Sequence, residues 1–246
     1  MSSGDMRAVM VAAAVLLAGC APTATEPPSA TYVVSTPTED AVADARPIRL
    51  DVLHVTSAER VARQLTVRVR ARACGRLATA SGVAVGPRLL VTNRHVVQGA
   101  EVLELNHWDG TRARARPTGL AVADDLALVR VSTRLPAVAR LAPVDVDEQT
   151  EVLVVGYPDG GRQTVERGEV VEYARLRSPA DASPVIRMAV DIAPGNSGGA
   201  VVDRTGALAG VVFGVETGTD YGLAIPASAV ADLLDDGGTA APAGCS

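Results

Sequence analysis

Pro194-Gly195-Asn196-Ser197-Gly198-Gly199 sets one serine in a run of glycines. Glycine adopts backbone angles that side chains forbid, so the chain can turn sharply there and leave the hydroxyl uncovered. The same turn can aim successive backbone N–H groups into one small space. Acyl transfer needs such donors, because an attacked carbonyl becomes an oxyanion that pre-placed dipoles must hold. Glycine-rich turns also serve as plain hairpins, so the reading depends on the rest of the chain.

Two other segments supply the missing chemistry. Leu89-Leu90-Val91-Thr92-Asn93-Arg94-His95-Val96-Val97 is an apolar run, then a short polar turn with one histidine, then apolar residues again. Asp124-Asp125-Leu126-Ala127-Leu128-Val129-Arg130-Val131 is a strand-like run with acids at its mouth. A serine hydroxyl is a weak nucleophile until an imidazole takes its proton. A carboxylate can hold that imidazole in the right tautomer and stabilise its charged form. His95, an acid at 124–125 and Ser197 are therefore the candidate catalytic set.

These blocks resemble those of HtrA/Deg-type, trypsin-like serine proteases. Within that family the chain looks most similar to actinobacterial envelope proteases of the mycobacterial acid-resistance type, on Gly156-Tyr157-Pro158 and Gly210-Val211-Val212-Phe213-Gly214. Ala80-Ser81-Gly82-Val83-Ala84-Val85 also matches in character. The resemblance covers about residues 65–235. It implies that His95 is the general base, Asp125 orients it and Ser197 attacks. Asp125 is preferred to Asp124 because the family's acid directly precedes the aliphatic run. The backbone N–H groups of Gly195 and Ser197 would form the oxyanion hole.

The resemblance also implies a substrate pocket. Asp191, six residues before Ser197, falls at the pocket floor, with Gly214 and Gly222 at its wall and back. A carboxylate there would select Arg or Lys; satisfied instead by Arg187 or by backbone amides, it would leave a pocket for small apolar residues. Asn196 stands where trypsin-type zymogens carry Asp to pair with a freshly cut N-terminus, so no activation by N-terminal insertion is expected.

Composition sets the remaining bounds. Of 246 residues, 48% are hydrophobic but only 2% aromatic, so a core must be built from small aliphatics. Alternation in Leu65-Thr66-Val67-Arg68-Val69-Arg70, and many short apolar runs between Gly, Pro and Asp turns, predict an all-β barrel or sandwich. The family resemblance narrows this to a chymotrypsin/trypsin-like double six-stranded β-barrel, the halves dividing near residue 145. Asp109-Gly110 predicts a hairpin with both turn positions able to take positive φ. Ser57 to Gln64 reads as a short helix with Val61 and Leu65 on one face, and Val230 to Leu234 as a terminal one.

The net charge of −5 argues against nucleic acid as a partner, which would need a basic face. Arg112, Arg114 and Arg116 alternate with alanines and read as the solvated face of a strand. His54 and His107 have no ligand-spaced partners, so no metal and no cofactor are expected. Trp108, beside the predicted turn, reads as a packing residue or an exposed aromatic rim.

Residues 1–19 read as a lipoprotein signal peptide: Arg7, an apolar stretch from Ala8 to Ala18, and Leu17-Ala18-Gly19-Cys20, which resembles a lipobox. Residues 20–47, rich in Pro, Ser and Thr, read as a lipid-anchored tether, with Cys20 as the lipidated residue. Residues 48–246 would be the protease domain, and no PDZ module is expected after it. If Cys20 carries lipid, Cys74 and Cys245 remain as a disulfide pair or as two free thiols. The resembling mycobacterial-type proteases bridge comparable positions. Such a bridge closes a loop of about 170 residues, for which the chain-entropy model gives on the order of 5 kcal/mol.

The expected product is an extracytoplasmic serine endopeptidase on the bacterial cell membrane that cleaves polypeptide substrates. A catalytically silent protease fold serving as a binding or sensing lipoprotein is the alternative, and acyl transfer to an acceptor other than water is a third.

Overall fold

The structure is a computed structural model that describes residues 57–73, 75–121, 124–175 and 183–239. The expected signal peptide and tether, together with Cys20, Cys74 and Cys245, lie outside those residues, and with them the lipidation and disulfide expectations.

Twelve strands form two closed six-stranded barrels. The first contains β1 (Thr66–Ala73), β2 (Arg76–Gly86), β3 (Leu89–Asn93), β4 (Ala100–Asn106), β5 (Arg112–Ala121) and β6 (Leu126–Val131), in the order β1-β2-β3-β6-β5-β4. The second contains β7 (Glu151–Gly156), β8 (Thr164–Ala174), β9 (Val185–Ala189), β10 (Ala200–Val202), β11 (Leu208–Val215) and β12 (Gly222–Pro226), in the order β10-β11-β12-β9-β8-β7. All pairings are antiparallel. Residues 132–150 run between the barrels and bond to both, through Ala139 N–H to Ala84 O (2.8 Å) and Leu208 N–H to Arg140 O (2.8 Å).

Burial explains which strands alternate and which are apolar throughout. Strand β5 puts Ala113 and Ala115 into the first barrel and leaves Arg112, Arg114 and Arg116 outside. Strand β6 puts Ala127 and Val129 into the barrel, while Leu126 and Leu128 point out into a third core shared with the second barrel. There they join Val83, Val91, Val155, Ala200, Val211 and Ile225. A strand buried on both faces loses its period-two signal. The largest fully buried side chains are all aliphatic or Met, in keeping with the aromatic-poor composition.

Helix α1 (Ser57–Leu65) packs on the shared core through Ala58, Ala62 and Leu65. Val61 is 38% exposed rather than paired with Leu65, because the buried stripe follows the 58, 62, 65 spacing and Val61 lies beside it. Arg63 Nε–H and Nη2–H both donate to Glu59 Oε1, at 3.1 and 3.0 Å, one turn away. Helix α3 (Ala227–Asp236) adds Ala229, Val230 and Leu233 to the same core and ends on Gly237 in the left-handed conformation.

The hairpin at Asp109-Gly110 forms, but not as a two-residue turn. His107 N–H donates to Thr111 O (2.8 Å) and Gly110 N–H to His107 O (3.0 Å), and Gly110 takes the positive φ (+85°) while Asp109 does not. Asp109 Oδ1 accepts the Thr111 N–H (2.9 Å), which fixes the longer loop with a glycine at its left-handed position.

Candidate active site

The β3–β6 pairing ends with Asn93 opposite Leu126, so the residues just beyond each strand end meet. Beyond Asn93 the chain makes a single helical turn, α2 (Arg94–Val97). Before Leu126, Asp125 sits at φ +53°. Its carbonyl accepts Arg94 N–H (2.8 Å) and Asn93 Nδ2–H (3.3 Å). Its carboxylate accepts His95 N–H at Oδ1 (3.0 Å) and faces His95 Nδ1 at Oδ2 (2.6 Å). A carboxylate can only accept, so Nδ1 carries the proton and the ring's basic lone pair is on Nε2. Arg94 Nε lies 3.7 Å from Asp125 Oδ1, so the same carboxylate also carries an ion pair.

Asp124 is employed elsewhere. Its Oδ1 accepts Ser183 N–H at 2.6 Å, tying the mouth of β6 to the chain entering β9.

Ser197 follows a tight turn in which Asn196 N–H donates to Ala193 O (3.1 Å), with Pro194 second and Gly195 third at φ +94°. Those positions suit a type II turn, which takes proline second and glycine third. Pro194 O accepts Asp159 N–H (2.7 Å). In a trans peptide the Gly195 N–H then points the opposite way. Neither the Gly195 nor the Ser197 N–H donates to a backbone carbonyl among the described residues. Asn196 is 3% exposed, and its Oδ1 has no partner among those residues.

The serine loop is fastened to the histidine's barrel through Ser81 of β2, which is fully buried. Ser81 N–H donates to Ser197 O (2.8 Å), Ser81 Oγ donates to Gly195 O (2.8 Å), and the same oxygen accepts Tyr157 N–H (3.0 Å). Ser81 O accepts the Thr92 hydroxyl at 2.7 Å, three residues before His95. Gly198, at φ +82°, lies against the Ser81 carbonyl and Thr92 Oγ1, where any Cβ would collide. Tyr157, under this assembly, has its phenol pushed up to about 12 by burial, partly offset by Arg68. It therefore stays protonated, with its hydroxyl held by Gln163 Nε2 (3.2 Å).

The expected pocket residues are arranged differently from a buried acidic floor. Asp191 is exposed. Arg187, a candidate partner for it, is instead held by Glu172 (2.6 Å) and Glu216. Gly222 is buried, and a Cβ there would lie 2.7 Å from Ile192 Cγ1 and 2.9 Å from Val190 Cγ1. At Gly214 a Cβ would meet nothing within 4 Å.

Two barrels with a His–Asp pair on one and a glycine-cradled serine on the other define the chymotrypsin-like class. The Trypsin-like peptidase domain family matches residues 80–211, and the chain belongs to it. Serine protease Rv3671c of Mycobacterium tuberculosis is 29% identical over 186 residues, spanning 72% of this chain and 47% of that protein. Serine protease Do-like HtrA of Bacillus subtilis is 29% identical over 163 residues, spanning 61% and 36%. The chain thus spans about half the length, or less, of these curated relatives. The crystal structure of the Rv3671c protease in its active form superposes with a TM-score of 0.69 at 26% identity, covering 77% of this chain and 89% of that one. The HtrA-type protease AlgW, solved with a tripeptide, gives 0.67 at 26% identity, covering 73% and 62%.

Proposed function

We propose that this chain is an extracytoplasmic serine endopeptidase, held at the bacterial cell membrane by lipid on Cys20, with Cys74 and Cys245 joined as a disulfide. The observation that carries the catalytic reading is that Asp125 holds His95 on the first barrel, while Thr92, three residues before that histidine, bonds Ser81, which bonds the Ser197 carbonyl on the second. His95 Nε2 takes the Ser197 Oγ proton as the oxygen attacks the substrate carbonyl. The carbonyl π pair moves onto oxygen, and the Gly195 and Ser197 N–H groups hold the oxyanion. Collapse expels the amine, which takes the proton back from His95 and leaves an acyl-enzyme. A water activated by the same imidazole releases the acid.

Asp191 is exposed and Ile192 packs over Gly222, which favours small apolar residues before the scissile bond rather than Arg or Lys. Profiling with a peptide library tests this: a basic preference that disappears in Asp191→Ala would reverse the assignment. The buried, uncharged Asn196 supports a protease that needs no new N-terminus.

A fluorophosphonate probe on the full chain tests the catalytic reading. Labelling of wild type but not of Ser197→Ala or His95→Ala supports it. A folded protein that neither labels nor cleaves would be the silent, ligand-binding alternative.

A further inference from the structure

The arginines of β5 have no place in the catalytic reading, and their surroundings are unusual for a merely solvated strand face. Arg112, Arg114 and Arg116 are exposed, and none makes an ion pair among the described residues. Across the sheet, Arg116 stands directly opposite Arg130, and Arg114 opposite Glu104, which in turn faces Arg70. Arg70 and Arg130 are also exposed and without an ion pair among the described residues. Five guanidinium groups thus share these rows with one carboxylate, on a chain whose overall charge is −5. Like charges placed directly across a ladder are unfavourable, so the face is arranged for an anionic partner.

A second feature lies at its margin. Trp108, at the tip of the β4–β5 hairpin next to Arg112, is 49% exposed. Neighbouring Asp109 is turned into its own loop by the Thr111 N–H. Tryptophan settles at the boundary of headgroups and acyl chains, and guanidinium forks match phosphate oxygens. The rows spread over four strands of a convex closed barrel, which suits an extended charged plane better than a groove-bound strand.

We propose that this outer face of the first barrel docks on an anionic phospholipid bilayer, with the arginines on lipid phosphates and Trp108 among the headgroups. The arginine rows occupy the opposite end of β5 and β6 from the His95–Asp125 pair. The Arg116–Arg130 pair is four residues along β6 from Leu126, about 13 Å. This goes beyond the protease assignment and does not require lipid on Cys20.

Trp108 is the sole tryptophan of the chain, so its emission reports on this face. The full chain is titrated with phosphatidylcholine vesicles, and with vesicles containing about one-third phosphatidylglycerol. Binding to the anionic vesicles should shift Trp108 emission to the blue, brominated acyl chains should quench it, and raised salt should weaken it. At about five-fold per arginine, Arg112→Ala/Arg114→Ala/Arg116→Ala should weaken the anionic binding about 100-fold. Its fluorophosphonate labelling should stay at the wild-type rate. An equal charge change elsewhere, Arg60→Ala/Arg162→Ala/Arg204→Ala, should leave vesicle binding intact. Unshifted Trp108 on anionic vesicles, or undiminished binding by the β5 triple variant, overturns the proposal. So does salt-sensitive binding to duplex DNA without vesicle binding, which would give the face to nucleic acid.

Discussion

The Ser81 hydroxyl, on the first barrel, donates to the Gly195 carbonyl, on the second, across 2.8 Å. With the Asp159 N–H on the preceding carbonyl, it fixes both peptide planes that meet at Gly195, one of which carries the Gly195 N–H. Ser81→Ala should therefore lower kcat at least tenfold with a smaller change in KM, and cost about 1–3 kcal/mol of stability for the buried groups left unpaired. Steady-state kinetics beside thermal unfolding will show it. A variant that lost stability but kept wild-type kcat would make Ser81 a mere structural tie.

The two neighbouring acids should separate cleanly. Asp125→Asn leaves His95 without its orienting carboxylate and should lower kcat by about 10⁴-fold. Asp124→Asn alters the bond to Ser183 and should leave kcat within a few-fold. Comparable losses in both would mean that the inter-barrel tie, not the charge on the histidine, governs the rate.

Gly198 has both a left-handed backbone and no room for a methyl group. Gly198→Ala should cost about 3 kcal/mol or more and abolish fluorophosphonate labelling. Unfolding in urea measures the first and labelling the second.

Burial holds the His107 imidazole below its ordinary value of 6.5, with Asp109 offsetting part of the effect. The unfolded chain then binds the proton more readily than the fold does. This contribution to stability is complete above pH 6.5 and is lost as pH falls from there towards the lowered folded value. Melting at pH 7.5 and pH 5.5 should show a fall in Tm that is smaller in His107→Phe. An equal fall in both proteins would trace acid sensitivity to other groups.

The proposed catalytic side chains stand out in the sequence because their chemistry is packed into three short segments. What separated Asp125 from Asp124 was one position relative to the run at Leu126, since strand pairing delivers the residue just before the strand to the histidine turn. Ser81 was not legible. It is an ordinary residue of a strand, and its importance comes from a partner 114 positions away. Both barrels were readable from short apolar runs together with the family resemblance, yet the apolar run of β6 concealed that Leu126 and Leu128 serve the core shared between the barrels. The Arg187 clamp was hidden for a similar reason, because Glu172 lies on β8 and Glu216 just beyond the end of β11. The hairpin at Asp109 was visible as a turn, but its length depended on the Thr111 bond.

The left-handed backbone at Asp125 has a consequence for how such a chain can drift. Aspartate and asparagine tolerate that conformation better than most side chains, and glycine accepts it freely. Glutamate would retain the charge but neither the backbone tolerance nor the reach. A lineage that abandons catalysis is therefore steered at this position towards asparagine or glycine, and either keeps the barrels whole. Descendants that have fallen silent would look sound in every respect but this one.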